Sequence, residues 1–153
     1  MRKVILSIIF LFIMIFGYTF AQNTDYRGCV WGDSLKKVIQ IEGTDFTKVT
    51  DIDYAYFRQL GDNNSTYIHY LFKDDELRAI EWIFTEISIF NKLTAGLVDK
   101  YGEPSYFSYG LQRWKNQRTI IELSLIDRNI FNKTYTLISL KYSSAKDIIN
   151  NGL

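Results

Sequence analysis

The sequence contains one cysteine, one histidine and one proline in 153 residues. The single cysteine, Cys29, cannot close a disulfide within the chain, so the fold must be stable through its core alone. Cys29 is expected to be a small buried residue, with pairing to a second chain as the alternative. One His and one Cys are too few for His-rich or thiolate metal sites. Glycine-rich phosphate loops do not occur. The sequence therefore predicts no metal and no cofactor.

The chain also lacks a large net charge of either sign. Lys and Arg number 18 against 17 Asp and Glu, a net charge of +1. Loss of Arg2 and Lys3 with a cleaved leader would leave 16 against 17, a net charge of −1. Neither value gives nucleic acid or an anionic membrane an electrostatic reason to bind. We therefore expect no nucleic-acid partner.

What the chain does have is the sequence pattern of an export signal at its start. Residues 1–21 combine two basic residues, an apolar run and a small-x-small ending at Ala21, which is typical of a cleaved signal peptide. The predicted product is a single domain over 22–153, secreted or periplasmic, without stable membrane insertion. The alternative is a membrane tether formed by residues 4–21, at the lower limit of a bilayer-spanning length. A lipid-anchored form is not expected, because Arg27 stands close before Cys29.

Two helices are expected in the mature chain. Asp33 or Ser34 can cap the first, which ends at Gly43 in a left-handed conformation. Ser88 is expected to cap the second, and Gly102 to end it. The second helix carries an apolar stripe at three- and four-residue spacing, formed by Phe90, Leu93, Leu97, Val98 and Tyr101.

Aromatic and β-branched runs predict strands after each helix. The clearest are 65–73 and 77–85, separated by the acidic tip 74–76. A three-residue tip would place Tyr70 opposite Ile80 and Ile68 opposite Trp82, with His69 opposite Glu81 on the other face. Further strands are expected over 106–109, 112–115, 119–126 and 135–142, with 127–133 as a connection. Because strands follow strands, the sheet should be antiparallel. The predicted fold class is α+β: one antiparallel sheet built from two helix-then-strands units, with both helices packed on one face.

Three segments carry a resemblance. Trp31-Gly32-Asp33-Ser34, the hairpin from Tyr70 to Leu77, and Leu97-Val-Asp-Lys-Tyr-Gly-Glu-Pro104 resemble small exported bacterial proteins of mostly unknown function. Their helix-plus-hairpin units are similar to the BamE (SmpA/OmlA) envelope lipoproteins and to the β-lactamase inhibitor protein. The resemblance implies an envelope compartment, that fold and a binding role.

The candidate binding residues are Tyr106, Tyr109, Trp114, His69 and Glu81. The aromatic residues follow the second helix, and exposed aromatic side chains beside polar groups are common in binding surfaces. Trp114, flanked by Arg113 and Lys115, is expected to be exposed, whereas Trp31 and Trp82 are assigned to the core. His69 and Glu81 are expected to form a cross-strand pair on the solvated face. A proton relay between them is the alternative.

The absence of a recognisable set of catalytic residues in the sequence favours a non-enzymatic, exported protein. Such a protein would bind another protein or a cell-envelope component through its sheet face or its loops. The alternative is a small exported hydrolase that acts on envelope polymers through carboxylates such as Glu81 or Glu86. Two carboxylates that face each other across a cleft would favour the hydrolase. An open sheet face with exposed aromatic side chains would favour binding.

Overall fold

The structure, a computed structural model, describes residues 25–43, 46–60, 64–130 and 132–146. The predicted export signal, residues 1–21, lies outside these ranges. Helix α1 precedes the first four strands, and a 3₁₀ turn and helix α2 separate these from the last four. The helices are α1 (Leu35–Glu42), the 3₁₀ turn (Ile87–Ile89) and α2 (Phe90–Tyr101). The strands are β1 (Thr47–Lys48), β2 (Asp53–Leu60), β3 (Asn64–Lys73), β4 (Glu76–Phe84), β5 (Tyr106–Ser108), β6 (Leu111–Lys115), β7 (Thr119–Ile130) and β8 (Lys133–Ser144).

The strands form one eight-stranded sheet in the order β1-β2-β3-β4-β8-β7-β6-β5, and every pairing is antiparallel. The predicted α+β class is wrong, because the sheet dominates the fold and the two helices are short. One reason lies in residues 127–133. They were predicted as a connection, but most of them continue the strands β7 and β8, each 12 residues long. Side-chain hydrogen bonds from Thr136 to Asp127 and from Thr134 to Asn129 join this polar part of the hairpin.

Both helices contribute apolar side chains to the same side of the sheet. Val38 of α1 packs with Ile68 and Tyr70 of β3, which are completely buried. Leu97 of α2 packs with a second group of buried residues from β4, β6, β7 and β8. Trp82 contacts both groups, so the core is continuous across the middle of the sheet. The opposite face receives no helix side chain from these two clusters, and we call it the open face.

The helix ends are set by local chemistry, with one exception. The Ser34 hydroxyl accepts a hydrogen bond from the Lys37 amide at 3.4 Å, and Gly43 takes a left-handed φ of 65°, both as predicted. The prediction for Ser88 is wrong. It lies inside the 3₁₀ turn, and its hydroxyl donates to the Glu86 carboxylate instead of capping α2. The apolar stripe of α2 packs on the sheet as predicted.

The β3–β4 register is confirmed. Tyr70 lies opposite Ile80, Ile68 opposite Trp82 and His69 opposite Glu81. The tip is shorter than predicted, since Lys73 pairs with Glu76 across the two turn residues Asp74 and Asp75. A β-bulge compensates, because it inserts Arg78 as an extra residue between Leu77 and Ala79. The bulge restores the pairing that a two-residue tip alone would have shifted by one.

The tip makes a test of local strain possible, because Asp74 and Asp75 have φ values of 56° and 58°. Asp74→Gly is expected to raise the free energy of unfolding by about 0.5–1 kcal/mol, since glycine avoids the cost of a left-handed L-residue. Asp75→Gly is the matched comparison. It should gain less, because the Asp75 carboxylate accepts a hydrogen bond from the Leu35 amide at 3.2 Å. Urea unfolding measures both, and a less stable Asp74→Gly protein would contradict the expectation.

Candidate binding face

The open face carries a row of polar side chains that crosses six neighbouring strands. Each residue of this row lies directly opposite the next in the strand register. We call it the polar row; from β3 to β5 it consists of His69, Glu81, Lys141, Glu122, Arg113 and Tyr106. Because side chains alternate between the faces of a strand, all six project away from the helices. The row is assembled from both halves of the chain, and the β4–β8 pairing joins them.

Hydrogen bonds hold several side chains of the row in place. His69 Nδ1 lies 3.0 and 3.1 Å from the two carboxylate oxygens of Asp53. Glu81 accepts a hydrogen bond from the buried hydroxyl of Ser139 at 2.5 Å. These bonds restrict the side-chain rotamers, so less conformational entropy would be lost when a partner binds.

At the β5 end, the row combines a charge pair with an aromatic ring. Arg113 donates two hydrogen bonds to one Glu122 oxygen, at 3.0 Å from Nε and 2.7 Å from the terminal nitrogen. The Arg113 guanidinium also lies 5.7 Å from the centroid of the Tyr106 ring. The Tyr106 side chain is 48% exposed on an edge strand. An ordered Arg beside an exposed Tyr is a combination enriched in protein interfaces.

Small side chains flank the charged centre of the row. Ala79 and Ser143 lie opposite each other on one side, and Ser139 and Ser124 on the other. Lys141 stands between Glu81 and Glu122 in the register. Ala79, Ser143 and Ser139 are themselves buried. The surface that a partner can reach in this region is therefore supplied by the longer charged side chains, of which Arg113 and Glu122 are 37% and 21% exposed.

The structure brings together three of the five predicted binding residues. His69, Glu81 and Tyr106 share the polar row, and His69 contacts Asp53 rather than Glu81 through its Nδ1. Tyr109 lies in the turn between β5 and β6, where its side chain is fully exposed. Trp114 lies on the opposite face.

The expectation that Trp114 is exposed is wrong. Its side chain is 2% exposed, and Nε1 donates to the Gly102 carbonyl at 2.8 Å, where α2 ends. The flanking charges were misinterpreted. In a strand, Arg113 and Lys115 point to the face opposite Trp114, so charged neighbours indicate that the residue between them is buried.

Sequence reasoning missed Glu122 and Lys141, and it used Arg113 only as a neighbour of Trp114. A local signal existed, because Glu122 interrupts the apolar run of β7 between Ile121 and Leu123. In β8, side chains two residues apart share a face, so the sequence also places Lys141 on the same face as Ser139. That Lys141 lies opposite Glu81 depends on the β4–β8 pairing, which joins these two positions 60 residues apart in the chain.

Two features of the described ranges bear on other kinds of site. These ranges contain no group of three or more His, Cys, Asp or Glu residues arranged to hold a metal ion. In the same ranges, the helices are too short or too polar to cross a bilayer.

The match to a family model decides the classification, since the TP0088 domain matches residues 35–148, most of the chain. The chain belongs to the TP0088 domain family. The TP0088 domain match begins at α1 and includes all eight strands, and therefore the whole polar row. Comparisons with curated proteins and with solved structures gave no match. The resemblance of this TP0088 domain to BamE and to the β-lactamase inhibitor protein stays a prediction.

Proposed function

We propose that the chain is an exported, non-enzymatic binding protein that contacts a protein partner through its open face. The observation that carries the proposal is the polar row, six side chains at successive register positions that cross the sheet on the side away from the helices. The expected export signal, residues 1–21, supports a secreted or periplasmic location.

The charge pattern of the row favours a protein over a polyanionic envelope polymer. Glu81 and Glu122 alternate with Lys141 and Arg113, so this part of the row has no net charge. A polyanion gains most from a surface of uniform positive charge. Alternating charges instead complement the mixed charges of another protein surface, where they determine register and specificity.

Exposed aromatic side chains supply contact area beside these charges. Tyr67 and Tyr106 are 51% and 48% exposed, on strands near opposite sides of the open face. Tyr and Arg are the residue types that most often dominate binding energy in protein interfaces. Tyr106 and Arg113, which contact each other, are therefore the first candidates for substitution.

The separation of Glu81 from Glu86 does not favour the hydrolase alternative. Glu81 lies within β4, whereas Glu86 follows the end of that strand and accepts a hydrogen bond from Ser88. Five residues of extended chain separate their Cα atoms by roughly 15 Å. Glycosidic carboxylate pairs stand about 5–10 Å apart. This pair therefore provides no support for glycosidase chemistry.

Site-specific photocrosslinking in cells that express the protein tests the proposal. A photoreactive amino acid at Ser124, on the open face, should give one defined protein adduct. The same group at Lys92, exposed on α2, should not give that adduct. Adducts from Lys92 alone, or none from Ser124, would overturn the assignment of the open face.

The purified partner then allows an affinity test. Tyr106→Ala and Arg113→Glu are each expected to weaken binding at least about tenfold, because they remove an aromatic contact and reverse a charge within the row. Lys92→Glu is the matched charge reversal outside the face and should bind like the unaltered protein. Circular dichroism confirms that each variant is folded. The proposal would be contradicted if Tyr106→Ala and Arg113→Glu bound the partner with the same affinity as Lys92→Glu.

A further inference from the structure

A cavity of about 270 Å³ lies apart from the polar row, where the start of β4 and the end of β8 meet the β6–β7 turn. Its lining includes Trp31, Glu76, Arg78, Arg118, Ser144 and Lys146. These residues come from four separate segments of the chain. The volume is slightly below the range of about 300–1,000 Å³ that is typical of pockets for drug-sized ligands, so it suits a small molecule.

The charges around the cavity are mainly positive. Among the described residues that line it, Arg78, Arg118 and Lys146 are positive and Glu76 is negative. Asp25 stands behind Arg118 with one oxygen 3.0 Å from the guanidinium, and this carboxylate is 5% exposed. For the part of the lining that the structure describes, one positive charge therefore remains in excess when Asp25 is included. Such an environment favours an anionic ligand.

Arg118 is held in position but keeps donors for a ligand. The Asp25 carboxylate that contacts it also accepts a hydrogen bond from the Trp31 amide at 2.8 Å, which ties the guanidinium to the N-terminal segment. A guanidinium has five N–H donors. The Arg118 side chain is 51% exposed. It can therefore bind a carboxylate or phosphate in the two-pronged geometry that Arg favours.

The β-bulge brings the second arginine to the cavity. Leu77 and Ala79, on either side of Arg78, are both buried. In a regular strand, residues two apart share a face, and the extra residue of a bulge departs from this alternation. Bulges are over-represented next to functional sites, where they redirect a side chain. Arg78 reaches the cavity and pairs there with Glu76.

Trp31 provides a fixed aromatic wall. Its indole Nε1 donates to the Thr119 hydroxyl at 2.9 Å, and Thr119 is buried. With the indole N–H already bonded to Thr119, the ring offers the cavity its apolar surface rather than a donor. A ligand that places an anionic group near the arginines can pack a planar or apolar part against this ring.

We propose that this cavity binds a small organic molecule that carries a carboxylate or a phosphate next to a planar or apolar group. Arg118, Arg78 and Lys146 bind the anionic group, and Trp31 packs against the remainder. The site is independent of the protein-binding face, because none of the residues that line it belongs to the polar row.

Calorimetry and tryptophan fluorescence on the purified protein test the proposal with four probes. Benzoate and phenyl phosphate should bind saturably with Kd values on the order of 1 mM, as expected for fragments of this size. The one that binds more tightly identifies the preferred anion. Benzyl alcohol, which lacks the charge, and acetate, which lacks the ring, should bind at least about tenfold more weakly. Saturation should also change the emission of Trp31.

Substitutions of cavity residues test whether the anion binds at this site. Arg118→Gln and Lys146→Gln should each weaken benzoate or phenyl phosphate binding, Arg118→Gln by about tenfold or more. The Lys146 variant changes an exposed side chain and so retains the fold. Arg113→Gln removes the same charge from the polar row and should leave anion binding unchanged.

Three results would overturn the proposal: no saturable binding of either aromatic anion, equal binding of benzyl alcohol, or unchanged affinity in both cavity variants. None of them would affect the protein-binding proposal, because Tyr106 and Arg113 test that face separately. Loss of partner binding in the Arg113 variant with normal anion binding would support both assignments.

Discussion

Above about pH 9 the protein is expected to lose stability steeply and to unfold cooperatively. Burial raises the pKa of the Cys29 thiol to about 12, and the nearby carboxylates of Glu42 and Asp33 add to the shift. Burial also raises the pKa of Tyr142 to about 12. The pKa values of Tyr26 and Tyr70 are raised further, again mainly by burial.

The direction of the effect follows from proton binding. In the unfolded chain, the thiol loses its proton near pH 8.5 and each tyrosine near pH 10, roughly. The folded protein keeps these protons to higher pH, so it binds more protons than the unfolded chain in this interval. The stabilisation is complete below about pH 8, begins to decline near the unfolded-state pKa of the thiol, and falls further as the pH rises towards the folded-state pKa values.

The size of the effect makes it visible. Each group removes up to about 1.4 kcal/mol per pH unit above its unfolded-state pKa. By about pH 11 the thiol removes about 3 kcal/mol and each of the three tyrosines about 1.4 kcal/mol. Together they remove roughly 7 kcal/mol, as much as many domains possess in total.

Circular dichroism and tyrosinate absorbance measured against pH check this expectation. The exposed tyrosines, such as Tyr109, should titrate first, and the buried ones should ionise together with unfolding. Cys29→Ala should move the onset of destabilisation to about pH 10, because only the tyrosine contributions remain. Smooth ionisation of every tyrosine around its ordinary pKa, in a chain that stays folded, would refute the expectation.

Glu42→Ala is expected to lower the free energy of unfolding by about 3 kcal/mol. Glu42 is the last residue of α1, and its side chain is 2% exposed and contacts residues of β2 and β3. One carboxylate oxygen accepts a hydrogen bond from the Tyr70 hydroxyl at 2.7 Å. The other accepts from Tyr56 at 3.3 Å and lies 3.3 Å from the Arg27 guanidinium.

Truncation would leave these partners without their acceptor. Tyr70 is completely buried, so its hydroxyl would lose a hydrogen bond that water cannot readily replace. Breaking a buried charged pair by removing one member costs about 3–5 kcal/mol, and Arg27 is partly exposed, which places the expected loss at the lower end. Urea unfolding with an unchanged denaturant slope measures it.

Two further variants separate the causes. Glu42→Gln keeps the shape and one acceptor but removes the charge, so it should lose about 1 kcal/mol. Glu103→Ala removes the same charge from an exposed position and should change stability by less than about 0.5 kcal/mol. If Glu42→Ala costs no more than Glu103→Ala, the buried carboxylate does not stabilise this end of α1.

The β3–β4 hairpin shows why local predictions succeeded. Alternation of apolar and polar residues selected the one register that buries Ile68 and Tyr70 together with Ile80, and the structure has that register. The tip differed because a bulge at Arg78 can replace one turn residue without moving the buried pairs. A register is set by the burial of many side chains, whereas the position of a bulge changes little of that burial.

The fold class and the candidate site were harder to predict from the sequence. Polar residues in the outer part of the β7–β8 hairpin looked like a connection, because side-chain pairing between strands is not visible in one strand alone. Trp114 is predicted to be exposed because Arg113 and Lys115 flank it, but in a strand these neighbours point to the opposite face. His69, Glu81 and Tyr106 were identified, but not the charges that join them into a row.

The sequence by itself determined the caps of α1, the apolar stripe of α2 and the register of β3 with β4, because each depends on residues within a few positions or across one turn. Only the tertiary structure decided that β4 pairs with β8, that the polar row is continuous, that Tyr56, Tyr70 and Arg27 surround Glu42, and that four segments enclose a cationic cavity. The physical reason is the same in each case. These arrangements bring together side chains from distant segments, and the burial that selects among such pairings is a property of the whole core rather than of any one stretch of chain.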